Sequence, residues 1–179
     1  IWADKKNVRF VRFKVGVCFQ YPEYQLFEDT VEKDIGYGPK NMGLSEDEIK
    51  KRVHESLSFV GLSEKYLEKS PFDLSGGEQR RVAIAGVMAM KPEVLVLDEP
   101  CAGLDPIGRN MILDLIVKYR ERTGSTVIVV SHSMEDISKI ATKILVMNES
   151  RLAYYDTVSN VFSHAGELFS MGLDVPQIT

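Results

Sequence analysis

Cysteine is scarce. Cys18 and Cys101 are the only two among 179 residues, too far apart for a CxxC pair and without the spacing of a thiolate metal site, which points to a reduced, cytosolic setting. Long apolar runs are missing too. The longest such stretch, residues 82–90, is interrupted by Gly86 and falls well short of the ~18 residues of a membrane-spanning helix. No N-terminal pattern of a secretory signal is present, and the chain starts at Ile1 rather than Met, which leads us to expect a fragment or a processed product. An excess of positive charge is also lacking. Lys and Arg number 22 against 26 Asp and Glu, a net charge of −4, which argues against a dedicated nucleic-acid binder. The one basic cluster, Lys5, Lys6, Arg9, Arg12 and Lys14, is read as a solvated, frayed end. Repeats and low-complexity tracts are absent, and 44% hydrophobic residues suit one globular domain, with or without a subdomain.

The organisation falls into two styles. Residues 15–20 read as a short strand ending in Gln20. Residues 21–43 look irregular, with Pro22, Gly36, Gly38, Pro39 and Gly43 as breakers. Ser45 and Glu48 have capping-box spacing and start a helix with Ile49, Val53, Leu57 and Val60 on one face, stopped by Gly61. A further helix follows residues 74–78 and carries Val82, Ala85, Gly86 and Ala89 on one side, small enough for close packing. From residue 94 the chain alternates: a strand at 94–97 expected to be buried on both faces, a helix through Ile112, Leu115, Ile116 and Tyr119, a strand at 126–130, a helix from about Met134, a strand at 144–147 and a hairpin partner at 151–155. Strand and helix in alternation predict a parallel sheet with ligands at the carboxyl ends of its strands.

Chemistry-bearing residues stand at those ends. Asp98 and Glu99 follow a buried strand. One carboxylate can hold Mg²⁺ and the other can orient or deprotonate a water, although a strand ending in two surface acids is common. Ser75-Gly76-Gly77-Glu78 opens a helix. Ser75 and Glu78 could be an ordinary cap, but a cap needs no double glycine, and bare backbone N–H groups at a helix start attract anions.

LSGGEQRR at 74–81, VLVLDEP at 94–100, AGLDP at 102–106 and Val130-Ser131-His132, in this order and spacing, resemble the ABC ATPase family from about Val15 to the end of the chain. The resemblance implies an α/β fold, a P-loop NTPase (RecA-like) parallel sheet with an inserted α-helical subdomain. It divides the chain into 1–20, a remnant of the N-terminal nucleotide-binding core ending in the Q-loop; 21–90, the helical subdomain with the signature; and 91–179, the C-terminal part of the core. ATP and Mg²⁺ are the implied cofactors. Gln20 matches the Q-loop glutamine, which senses Mg²⁺ and water; Asp98 matches the Mg²⁺-supporting aspartate, Glu99 the catalytic base and His132 the switch histidine at the γ-phosphate. Ser75, Gly76, Gly77 and Glu78 match the signature that meets the ATP of a partner subunit, and Asp105 matches the aspartate that crosses the dimer interface. Asp98, Glu99 and His132 are then expected on one rim of the sheet. Phe19-Gln20-Tyr21-Pro22-Glu23-Tyr24-Gln25, with residues 38–41 and 172–176, is similar to the energy-coupling factor ATPases, which drive uptake of vitamins and of cobalt or nickel ions; the Tyr-Pro-Glu-Tyr version resembles the second member of the usual ATPase pair. The implied partners are a second ATPase subunit in a head-to-tail dimer, a transmembrane coupling subunit and a substrate-binding membrane subunit, at the cytoplasmic face of the cell membrane, with no nucleic acid.

The sequence departs from that pattern in places. It contains no GxxxxGK[ST] phosphate loop; residues 38–45 keep two glycines and a serine but have Leu44 where lysine is required. We therefore expect an incomplete sheet and a chain that is inactive alone. Cys101 stands where the family has threonine, and residues 147–151 replace a glycine-bearing turn, so a looser hairpin is expected. Two other readings are open: a soluble ABC ATPase acting on ribosomes or DNA, and a non-catalytic fragment that binds partners.

Overall fold

The computed structural model describes residues 5–176; of the basic cluster, the side chains of Lys5, Lys6 and Arg9 lie outside the described residues. The chain forms two compact units, Ile1–Val130 and Ser131–Thr179.

In the first unit, helix α1 (Lys5–Lys14) runs directly into strand β1 (Val15–Cys18), so this stretch is ordered helix rather than the expected frayed end. Lys14 pairs with Glu93 at 2.7 Å. Strands β2 (Val94–Asp98) and β3 (Thr126–Val130) join β1 in a parallel sheet of order β1-β2-β3. The register sets Cys18 opposite Leu97 and Asp98 opposite Val130, so all three strands end at one edge. Leu95 and Leu97 are fully buried while Val94 and Val96 are half-buried. The expected two-sided burial of β2 is thus realised on one face; among the described residues the other is only partly covered.

Helices α2 (Val31–Asn41) and α3 (Glu46–Phe59) pack on each other and on α4 (Gly76–Ala89), which packs on β1. Helix α2 falls where an irregular segment was expected. Its glycines serve packing rather than turning: a Cβ on Gly38 would sit 2.6 Å from Met90 Cγ. Close helix contact offsets the local cost of glycine, and Pro39 is buried near the end of the helix. Helix α3 starts at Ser45, whose hydroxyl accepts from Glu48 N–H, and its apolar face buries Val53, Leu57 and Val60. Gly61 ends it in the left-handed region at φ +73°. Arg52 of α3 donates to the carbonyls of Ala89 and Met90, capping the last turn of α4. Helix α4 buries Val82, Ile84, Ala85, Met88 and Ala89 at 3% exposure or less, an apolar core helix on most sides. Helix α5 (Pro106–Thr123) follows β2 and leads to β3 through Gly124, with Asp105 as its N-cap.

The second unit holds α6 (Met134–Ile140), the antiparallel hairpin of β4 (Lys143–Asn148) and β5 (Arg151–Thr157), and the short helices α7 (Val158–Ser163) and α8 (Ala165–Ser170). Strand β4 was expected to extend the parallel sheet. Among the described residues its one ladder partner is β5, the hairpin partner expected at 151–155 and the one with the shortest loop to close. The hairpin is also tighter than expected: Asn148 pairs with Arg151 across two residues, Glu149 at φ +47° and Ser150 at φ +61°. Two left-handed residues are what a right-twisted two-residue turn demands, and here non-glycines supply them.

Candidate functional site

Two non-glycine residues at the carboxyl edge of the sheet, Glu99 and Tyr21, take left-handed backbone. Immediately after β2, Glu99 takes φ +44°, a conformation costing a non-glycine residue about 1–3 kcal/mol. It is held there from both sides: Glu99 N–H donates to Val130 O at 2.9 Å, and its carbonyl accepts from Ala102 N–H at 3.1 Å. Asp98 and Glu99 are both half-buried. Past the end of β1, Gln20 is exposed and Tyr21 is left-handed at φ +56°. The expected strand through Gln20 therefore stops at Cys18, and Gln20 lies on the loop that leaves the same edge. Cys18 itself is buried, and burial pushes its thiol up to about 12, so it stays protonated and unreactive.

Sequence reasoning missed the residue that ties this edge together. Arg80 is 3% exposed. Its Nε and Nη2 donate to the two carboxylate oxygens of Glu23 at 3.1 and 3.0 Å, and its Nη1 donates to Pro100 O at 3.3 Å and Ala102 O at 2.6 Å. One guanidinium thus joins α4 to the loop after β1 and to the loop after Glu99, using the planar fork that lysine lacks. In the sequence Arg80 stood out only as part of the LSGGEQRR motif; a signal for its burial is that it falls close to Val82 and Ile84, which lie in the core.

The start of α4 and the start of α5 meet elsewhere in the same unit. A cavity of about 220 Å³ is lined by Ser75, Gly77, Glu78 and Arg81 from one and by Asp105, Ile107 and Met111 from the other, among others. This brings the predicted Ser75, Gly77, Glu78 and Asp105 together, with Gly76 beside them. Glu78 accepts from Ser75 N–H at 2.9 Å, from Ser75 Oγ at 2.7 Å and from Tyr66 Oη at 2.6 Å. Those donors, Tyr66 foremost, hold its carboxyl down at about 2. So the capping arrangement weighed against a functional reading is present, and it leaves the glycines unexplained. A Cβ on Gly76 or Gly77 would meet nothing within 4 Å, and neither has a positive φ. Nothing within the unit requires glycine there; what the missing side chains leave clear is the approach to the helix's first N–H groups. Asp105 caps α5 by accepting from Gly108 N–H at 2.7 Å, and a Cβ on Gly108 would come within 2.9 Å of that carboxylate.

His132 belongs to the second unit, two residues after β3 ends. It is exposed and precedes Ser133, which accepts from Asp136 N–H at 3.3 Å as the N-cap of α6. Among the described residues no three His, Cys, Asp or Glu side chains form a self-contained metal site, and no helix is long and apolar enough to cross a membrane.

A parallel α/β sheet bearing acids at its carboxyl edge, with a glycine-opened helix beside it, is the fold of ABC ATPases. The chain belongs to the ABC transporter family, whose sequence model matches residues 2–102. It is 57% identical over 179 residues to the energy-coupling factor transporter ATP-binding protein EcfA2 of Clostridium perfringens (strain 13 / Type A), covering 99% of this chain and 63% of that protein. EcfA2 of Bacillus thuringiensis (strain Al Hakam) is 52% identical, with 96% of this chain and 59% of that protein covered. The chain therefore spans less than two thirds of the length of these relatives. Among solved structures, cbiO1 from Clostridium perfringens, part of the ABC transporter complex cbiONQ, matches with a TM-score of 0.82 at 38% identity, covering 93% of this chain and 66% of that one. The ATP-binding cassette MJ0796, solved as a dimer bound to ADP and Pi, matches with a TM-score of 0.74 at 28% identity, covering 87% and 68%.

Proposed function

We propose that this chain belongs to the ATP-binding and ATP-hydrolysing subunit that energises a membrane transporter of the energy-coupling factor type, for uptake of a vitamin or of cobalt or nickel ions. The observation that carries this reading is the start of α4, where two glycines with open space around them serve no packing need and leave an anion site facing outward. Likeness to EcfA2 over nearly the whole chain supports the transporter type. Residues 1–20 and 91–179 act as nucleotide-binding core and 21–90 as the helical subdomain.

The side chains present fit ATP and Mg²⁺. Magnesium needs only one or two carboxylates once phosphate oxygens and water complete its shell, which suits Asp98 with Gln20 and the lack of a three-ligand cluster among the described residues. Bound Mg²⁺ would offset charge on the phosphate oxygens. Glu99, pinned by its backbone, orients and deprotonates the attacking water. His132 contacts the γ-phosphate. Ser75, Gly76, Gly77 and Glu78 present the α4 N-terminus to the nucleotide of a second ATPase subunit in a head-to-tail dimer, and Asp105 stands at that dimer interface. Catalysis is then mainly positioning and charge neutralisation. The assembly sits peripherally on the cytoplasmic face of the membrane, against a coupling subunit and a substrate-binding subunit.

The test is Glu99→Gln in the purified transporter complex. ATP binding is retained and turnover falls at least about 100-fold. Undiminished turnover would remove Glu99 from its role, and co-purification with nucleic acid instead of membrane subunits would favour a soluble ABC ATPase.

A further inference from the structure

A serine hydroxyl has one proton to give. Ser75 gives it to Glu78 Oε2, at 2.7 Å, while Ser75 N–H donates to the same oxygen at 2.9 Å. The other carboxylate oxygen, Oε1, accepts from Tyr66 Oη at 2.6 Å. Tyr66 closes the 3₁₀ turn Glu64–Tyr66, and its ring has the ammonium groups of Lys65 at 5.4 Å and Lys69 at 4.7 Å. The phenol therefore fixes one end of the carboxylate and aims the other at the serine. A phosphate oxygen arriving at Ser75 from the open side would meet lone pairs backed by an anion, not a donor.

We propose that Tyr66 is a positioning residue for Ser75: by fixing Glu78 it latches the serine proton inside the chain, so that a phosphate engages this helix start only as that proton turns away from Glu78. The latch deepens the reading given above and rests on it, since it presumes that Ser75 meets a nucleotide phosphate. Backbone N–H groups at Gly76 and Gly77 stay available throughout; the hydroxyl is the gated donor. The other charged groups facing this cluster are Arg81, whose charge also favours the Glu78 carboxylate, and Asp105 across the cavity.

The experiment is steady-state ATPase of the assembled transporter as a function of ATP concentration, for Ser75→Ala, Glu78→Gln, Tyr66→Phe and the double variants with Ser75→Ala. Glu78→Gln removes the competing charge, and its KM for ATP falls about three- to tenfold, by more than kcat changes. Tyr66→Phe keeps the ring beside its lysines, loses only the anchor, and lowers KM in the same direction by less; it also serves if Glu78→Gln weakens the helix start. Both effects vanish in the Ser75→Ala background, which a merely structural role for Tyr66 would not produce. If Ser75→Ala raises KM while neither Tyr66→Phe nor Glu78→Gln lowers it, the latch is overturned and the phosphate reading survives. If Ser75→Ala leaves KM unchanged, Ser75 does not meet phosphate and both fall.

Discussion

The end of β2 and the start of α4 belong to the same unit and are built on opposite plans. At the end of β2 the backbone is strained at Glu99, half-buried, and held by partners on two neighbouring segments. At the start of α4 the backbone is relaxed, Ser75, Gly76 and Gly77 are exposed, and a Cβ on either glycine would meet no neighbour. Strain held in place by its surroundings fixes a group that must work inside its own chain. Open, unstrained glycine suits a surface completed by something that arrives. Arg80 is the physical link between the two, since it lies one turn into α4 and bonds the carbonyls that follow Glu99.

Cutting that link has the largest expected effect. Arg80→Met leaves the Glu23 carboxylate without its bidentate partner and two carbonyls without their donor, a loss of about 3–5 kcal/mol in chemical denaturation. A loss below about 1 kcal/mol would mean that the edge is held by the sheet alone. Gly77→Ala separates the two plans most directly. Alanine suits a helix better than glycine, so the fold gains up to about 1 kcal/mol, while ATPase of the assembled transporter falls about tenfold or more, roughly the effect of one lost charge-assisted contact. Equal activity would show that nothing approaches this helix start.

A smaller effect concerns pH. The Glu78 carboxyl is lowered from 4.5 to about 2, so the native state binds its proton less readily than the unfolded chain. Its contribution to stability is complete above pH 4.5 and is lost as pH falls toward about 2. Because this cluster is at the surface, the contribution is modest. Tyr66→Phe should shrink the difference in melting temperature between pH 5 and pH 3, read by circular dichroism at about those two values; an unchanged difference would remove Tyr66 as the main cause. The smallest effect is at the second unit's hairpin. Ser150→Gly relieves a left-handed residue that has no assigned chemistry and stabilises by about 0.5–1 kcal/mol with ATPase unchanged. Loss of activity there would show that strain outside the sheet edge is also used.

Much of this was legible in the residues alone. A run of valine and leucine marked β2 and a β-branched run marked β3, Ser45 and Gly61 bracketed α3, and the glycines at 76–77 stood out because a cap alone does not need them. Helix α2 was not legible, since Gly36, Gly38 and Pro39 are breakers by local propensity. The two glycines are tolerated because Ile49 and Val53 of α3 and Met90 at the end of α4 come close enough to crowd larger side chains. The hairpin partner of β4 at 151–155 was legible; that β4 joins no strand of the parallel sheet among the described residues was not, because periodicity marks a strand without saying which sheet it joins. Arg80 and Tyr66 were passed over for a related reason: a basic residue in an Arg-Arg pair and a tyrosine among charged residues both look like solvated surface.

By itself the sequence determined the order of the chemical groups, their assignment to strand ends and helix starts, and the family to which those spacings belong, because these follow from local periodicity and from residue chemistry. Only the tertiary structure decided that Glu99 is held in a strained conformation, that Arg80 spans three segments and that Tyr66 reaches Glu78. Each of those depends on distances between residues remote in the chain, and such distances are set by how helices pack on the sheet rather than by any local preference.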